Sequence, residues 1–110
     1  MLYMSITQLA AIQLQDKLQK NDDLLLLDVR EVNEYEYARI EGSQLLPLSL
    51  IPLKVNELDA ERETVLICHH GVRSMQASVY LENRGFRCLY NLQGGIDAWS
   101  ILCDSSVPRY

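Results

Sequence analysis

The sequence predicts an α/β domain with a mostly parallel sheet and helices on both faces. Three observations support this. Short apolar runs alternate with helix-spaced segments along the chain. The first of these runs is continuously apolar, as a strand buried on both faces must be. The chain has 110 residues, 48% apolar and 23% charged, which suits one soluble domain with a real core over residues 1–110.

The elements follow in order. Ile6 to Gln19 carries apolar residues at Ile6, Leu9, Ala10, Ile12, Leu14 and Leu18. That spacing predicts a helix, with Thr7 as its N-cap. Asn21, Asp22 and Asp23 end it. Leu24 to Leu27, followed by Asp28 and Val29, is a short apolar run between turn formers and predicts a buried strand. Glu31 to Tyr37 predicts one or two helical turns. Glu41-Gly42-Ser43 predicts a turn, and Gln44 to Leu46 a short strand before Pro47. Ser49 to Leu58 predicts a helix interrupted or started near Pro52. Thr64 to Ile67, β-branched and apolar, is the clearest strand. Val72 to Arg84 has helical spacing, with Gly85 where a C-cap belongs. Arg87 to Tyr90 predicts a strand that buries Cys88 in the core. Gly94-Gly95 predicts a loop, and Ile96 to Leu102 a last helix with Trp99 as a core aromatic. The tail from Asp104 to Tyr110 is expected to lie loosely on the surface. Cys103, just before it, is then not held near the rest of the chemistry.

Composition excludes several functions. Ten Lys and Arg against 15 Asp and Glu give a net charge of −5, which repels phosphate backbones, so no nucleic-acid partner is expected. No apolar run approaches the roughly 18 residues of a membrane span. Met1 to Gln15 holds no Lys or Arg, so no secretory signal is visible. Three cysteines without an export signal fit free thiols in a reducing, cytoplasmic setting.

Open parallel sheets bind ligands beyond the C-terminal ends of their strands. That draws attention to Asp28–Glu31 and to Cys68-His69-His70-Gly71-Val72-Arg73-Ser74, which joins a strand to a helix. A tight loop ending at a helix N-terminus turns successive N–H groups inward and stabilises an anion. A cysteine at its base is favoured as the thiolate, the reactive form. Gly71 lets the backbone turn, and Arg73 adds a positive charge that pairs with a carboxylate or an anionic substrate. Ser74 caps the helix or donates into the loop. His69 and His70 line the pocket or point to water. No Cys, Asp or Glu stands at zinc-ligand spacing from them, so no metal is expected. A bare Asp28 carboxylate beside Cys68 would oppose the thiolate. Asp28 is therefore expected to support the fold, paired with Arg30 or Arg73 or hydrogen-bonded to loop backbone, and Arg30 and Glu34 are read the same way.

Four motifs in register carry a family resemblance. Leu27-Asp28-Val29-Arg30-Glu31 with Glu34-Tyr35, Ile40-Glu41-Gly42-Ser43 with Leu46-Pro47-Leu48, Cys68-x-x-Gly71-x-Arg73-Ser74 with Ala77, Leu81 and Gly85-Phe86, and Leu92-x-Gly94-Gly95-Ile96-x-Ala98-Trp99 follow one another from about Leu24 to Trp99. Together they resemble a single-domain rhodanese, a sulfurtransferase. The resemblance implies a three-layer α/β fold with a five-stranded, mainly parallel sheet. It implies that Cys68 takes a sulfane sulfur from a donor such as thiosulfate or a persulfide, becomes a persulfide, and passes the sulfur to cyanide or a thiol. It implies substrate contacts from His69, His70, Gly71, Val72, Arg73 and Ser74, and no cofactor. An acceptor protein is a further implied partner.

Two departures stand out. Ala38 and Arg39 occupy positions where the family often has Gly-His, and His69 and His70 stand where many active loops have Lys or Arg. Two mostly uncharged histidines weaken the attraction for a dianion such as thiosulfate and favour a donor of lower charge. Two other functions compete. A non-catalytic binding or regulatory module of the same fold usually lacks the cysteine. A Cys…Arg phosphatase or arsenate reductase places one residue more between the two than the four found here.

Overall fold

The computed structural model describes residues 6–21 and 23–110. The chain runs β1 (Ile6–Leu9), α1 (Ala11–Lys20), β2 (Leu25–Asp28), α2 (Val32–Tyr37), β3 (Gln44–Leu45), a turn of 3-10 helix (Leu48–Leu50) leading into α3 (Ile51–Lys54) and a second 3-10 turn (Val55–Glu57), then β4 (Thr64–Ile67), α4 (Val72–Asn83), β5 (Leu89–Leu92) and α5 (Gly95–Leu102). The five strands form one sheet in the order β1-β5-β4-β2-β3. Every pairing is parallel.

Alternation along the strands builds two cores. Leu26, Val65 and Ile67 point to one face, where Leu14 of α1, Ile96 and Trp99 of α5, and Ala38 and Ile40 after α2 cover them. Leu27, Leu66 and Cys68 point to the other, against Ile51 of α3 and Ala77 and Leu81 of α4. β2 and β4 are neighbours, yet β2 leads outward to β3 and β4 outward to β5. The C-terminal ends of β2 and β4 are therefore the switch point of the sheet, where ligands of such folds bind.

Four expectations need correction. Ile6–Leu9 is a strand, with Thr7 opposite Tyr90 of β5. Thr7 caps nothing. The helix starts at Ala11, where the Gln13 side chain accepts the Ala10 N–H at 2.8 Å. Pairing along the sheet edge overrides a helical spacing that Ile6 and Leu9 share with α1. Asp22, the middle of the predicted helix break, lies outside the described residues, while Asn21 is the C-cap.

The last strand begins two residues late, at Leu89. Buried Phe86 first fills the core beside Leu81, and only then does the chain enter the sheet. Cys88 therefore precedes the strand and is half-buried.

The tail is not loose. Val107 is 7% exposed within the α1/α5 core, and Ser100 Oγ donates to its carbonyl. Arg109 Nε reaches Asp97 at 2.8 Å, and Tyr110 stacks on His69. Finally, Gly95 belongs to α5 rather than to the loop before it.

Candidate functional site

Cys68 follows β4 directly, at the N-terminal end of α4, and is 1% exposed. The Gly71 N–H donates to Sγ at 3.1 Å. Gly71 can do so because its φ is +107°, a conformation that glycine adopts without strain.

The loop is held from below by α5. The N–H groups of Ile96 and Asp97 donate to the carbonyls of Cys68 and His69 at 2.9 and 3.2 Å. A side chain at Gly95 would collide with those same carbonyls. The family-like Gly-Gly pair thus supports the cysteine loop by close approach.

Ser74 Oγ lies 3.2 Å from Sγ and donates to Asn91 Oδ1 at 2.5 Å. Asn91 Nδ2 faces the Gly71 carbonyl at 3.3 Å and Gln8 Oε1 at 3.0 Å. A carbonyl only accepts, so the Asn91 amide has its oxygen toward Ser74. Ser74's single hydrogen is then committed to Asn91, and the Cys68 thiol donates to Ser74. When Cys68 ionises, the Ser74 hydroxyl has to turn to face the sulfur.

Arg73 does not point at an open anion site. Nη1 and Nη2 bind both oxygens of Glu34 at 2.7 and 2.9 Å. That bidentate pair, with the Glu31 N–H and the Tyr110 hydroxyl, holds the Glu34 carboxyl down at about 2. Asp28 and Arg30 form a second pair, both 0% exposed, with Nη2 to Oδ2 at 2.6 Å and Nε to Oδ1 at 2.8 Å. Arg30 also reaches the Ala38 carbonyl and, at 2.9 Å, the Tyr110 hydroxyl. That hydroxyl in turn donates to Glu34 Oε2 at 2.8 Å. This geometry joins β2, α2 and the tail.

His70, His69 and Tyr110 stack in that order, with ring centroids 3.9 Å apart at both steps. Burial, then the neighbouring His70, pushes the His69 imidazole below its usual value, so it is uncharged at neutral pH. Its Nε2 is buried with no hydrogen-bond partner among the described residues.

His69, His70 and Asp97 bring ligand-type atoms within 4.8 Å of one another, a proximity that sequence spacing concealed. The geometry does not suit a shared ion. Imidazole lone pairs lie in the ring planes, and these rings are tilted by only 32°, so the lone pairs do not converge. Arg109 already holds both Asp97 oxygens.

The structure therefore gathers Cys68, His69, Gly71, Arg73 and Ser74 around one loop. Val72 stands outward, 70% exposed, as does the His70 side chain at 60%. Sequence reasoning missed Asn91, Asp97 and Tyr110. The first two stand next to motif residues, in Asn91-Leu92 and Ile96-Asp97. Nothing near Tyr110 in the sequence marks it.

Residues 10–102 match the family model of the Rhodanese-like domain. The chain belongs to that family. Among relatives of this rhodanese-like chain, a Rhodanese-like/PpiC domain-containing protein of Arabidopsis thaliana is 40% identical over 81% of the chain. The match spans 31% of that protein's length. A Sulfurtransferase of Allochromatium vinosum is 35% identical over 86% of the chain and 89% of its own. The crystal structure of a Rhodanese-like Domain Protein from Staphylococcus aureus superposes with a TM-score of 0.82. It is 27% identical and covers 94% of this chain and 98% of that one. The five-stranded parallel sheet with helices on both faces is this family's fold, and several relatives of the chain are named sulfurtransferases.

Proposed function

We propose that the chain transfers sulfane sulfur through a persulfide on Cys68. The observation that carries this is the placing of Sγ at the α4 N-terminus under the Gly71 N–H. A backbone N–H and a helix N-terminus are the donors that the negative outer sulfur of a persulfide needs. The Cys68 thiolate attacks the outer sulfur of a donor such as thiosulfate or an organic persulfide. One S–S bond forms, the donor's breaks, and its remainder leaves as an anion with the electron pair. A thiol or cyanide then attacks the terminal sulfur, and the Cys68 thiolate departs. Arg73 holds Glu34 in place and lends the loop mouth rigidity, and Ser74 turns its hydroxyl to the sulfur. His69 and His70 wall the mouth.

A second reading, a binding module without turnover, draws on the burial of Cys68, since a nucleophile 1% exposed needs the loop or tail to move before a donor can reach it. Intact-mass spectrometry after incubation with thiosulfate, and separately with an organic persulfide, distinguishes the two. A gain of about 32 Da on wild type and none on Cys68→Ser is expected. No gain from either donor would favour the binding module.

A further inference from the structure

A groove of about 710 Å³ opens between α4 and the β1/β5 edge, lined by Gln8, Gly71, Val72, Met75, Val79 and Asn91, with Gln76 at its side. Its size is that of a small-molecule site. None of these side chains is charged. Val72 and Val79 are 70% and 39% exposed. The groove starts where the cysteine loop ends, because Gly71 donates to Cys68 Sγ and Asn91 holds Ser74.

Among the described residues, the arginines around the loop offer no spare positive charge to a small dianion. Arg30 is paired with Asp28, Arg73 with Glu34 and Arg109 with Asp97, and the His69 ring is uncharged. From this we infer that the sulfur donor is a low-molecular-weight organic sulfane compound of low charge, whose apolar arm lies along Val72, Met75 and Val79. The inference rests on the sulfur-transfer reading and names its substrate class. With an alkyl thiosulfonate, the Cys68 thiolate attacks the outer sulfur. The S–S bond to the sulfonyl group breaks, and the alkyl sulfinate leaves with the electron pair, giving the same persulfide as thiosulfate does.

The test follows the rate of the mass gain on Cys68 with thiosulfate and with methane-, propane- and pentanethiosulfonate. Each methylene that enters the groove is expected to raise the second-order loading rate by about three- to fourfold. Pentanethiosulfonate should then load faster than thiosulfate. Val79→Gln and Met75→Gln, both on α4 away from the cysteine, should flatten the chain-length series and leave thiosulfate loading as in wild type. A flat series in wild type, with all donors loading, overturns this inference and spares sulfur transfer. Chain-length dependence that survives both substitutions places the arm elsewhere and also overturns it. If no donor loads, sulfur transfer itself fails and the inference with it.

Discussion

Cys68 owes its surroundings to one neighbour on the helix that follows it and to others distant in the chain. Ser74 comes from the helix start, Asn91 from β5 and Gly95 from α5. Ser74→Ala removes a hydroxyl that must turn to the thiolate. One hydrogen bond to a charged group is worth about 1.5–3 kcal/mol, so sulfur loading should slow by about tenfold or more. The thermal midpoint should fall as well, because Asn91 Oδ1 loses its donor at a cost of about 1–3 kcal/mol, so loading is compared well below that midpoint, where both proteins are folded. Gly95→Ala acts differently. Its Cβ would strike the Cys68 and His69 carbonyls, which are backbone and cannot swing aside. We expect destabilisation of about 2 kcal/mol or more in urea unfolding, together with loss of sulfur loading.

The tail is the element whose behaviour the structure changes most. Tyr110 covers His69 with its ring and bridges Arg30 and Glu34 with its hydroxyl. Tyr110→Ala removes both contacts. It should raise the alkylation rate of Cys68 by iodoacetamide if the stack limits entry to the loop. Tyr110→Phe keeps the ring and drops the hydroxyl, and should alkylate nearly as wild type does. Equal rates for all three proteins would show that the tail does not guard the loop.

Across the whole molecule, two ion pairs, bridged by the Tyr110 hydroxyl, bind β2, α2, α4 and the tail together. Breaking the fully buried Asp28–Arg30 pair by Arg30→Met leaves a buried carboxylate without its partner and should cost about 3–5 kcal/mol in chemical unfolding. The Glu34–Arg73 pair predicts a pH dependence. Folding lowers the Glu34 carboxyl from 4.5 to about 2. A lowered carboxyl stabilises the fold above its unfolded value and loses that contribution as pH falls through the folded one. The stability is thus fully present above about pH 5 and fades toward pH 2, amounting to about 3 kcal/mol at most. Thermal midpoints measured from pH 6 down to pH 3 should fall less steeply in Glu34→Gln than in wild type. Parallel curves would show that Glu34 is not the group responsible.

Much of this protein was legible in the sequence because its signals are local. Thr64–Ile67 is apolar and β-branched and can be little but a buried strand. Gly71 and Arg73 follow Cys68 at a spacing that only a tight loop into a helix accommodates. The Asp28–Arg30 pair lies two residues apart and is one of the three arrangements that the sequence left open for Asp28. Tertiary structure decided the rest. Ile6–Leu9 is a strand because β5 offers it a ladder, which no local spacing records. Phe86 delays β5 because the core beside Leu81 takes it first. Arg73 faces Glu34, Ser74 faces Asn91, and Tyr110 faces His69 across separations of 39, 17 and about 40 residues. Such contacts depend on where folded elements come to rest. The sequence supplied the cysteine and its loop, and packing supplied the partners that hold and cover it.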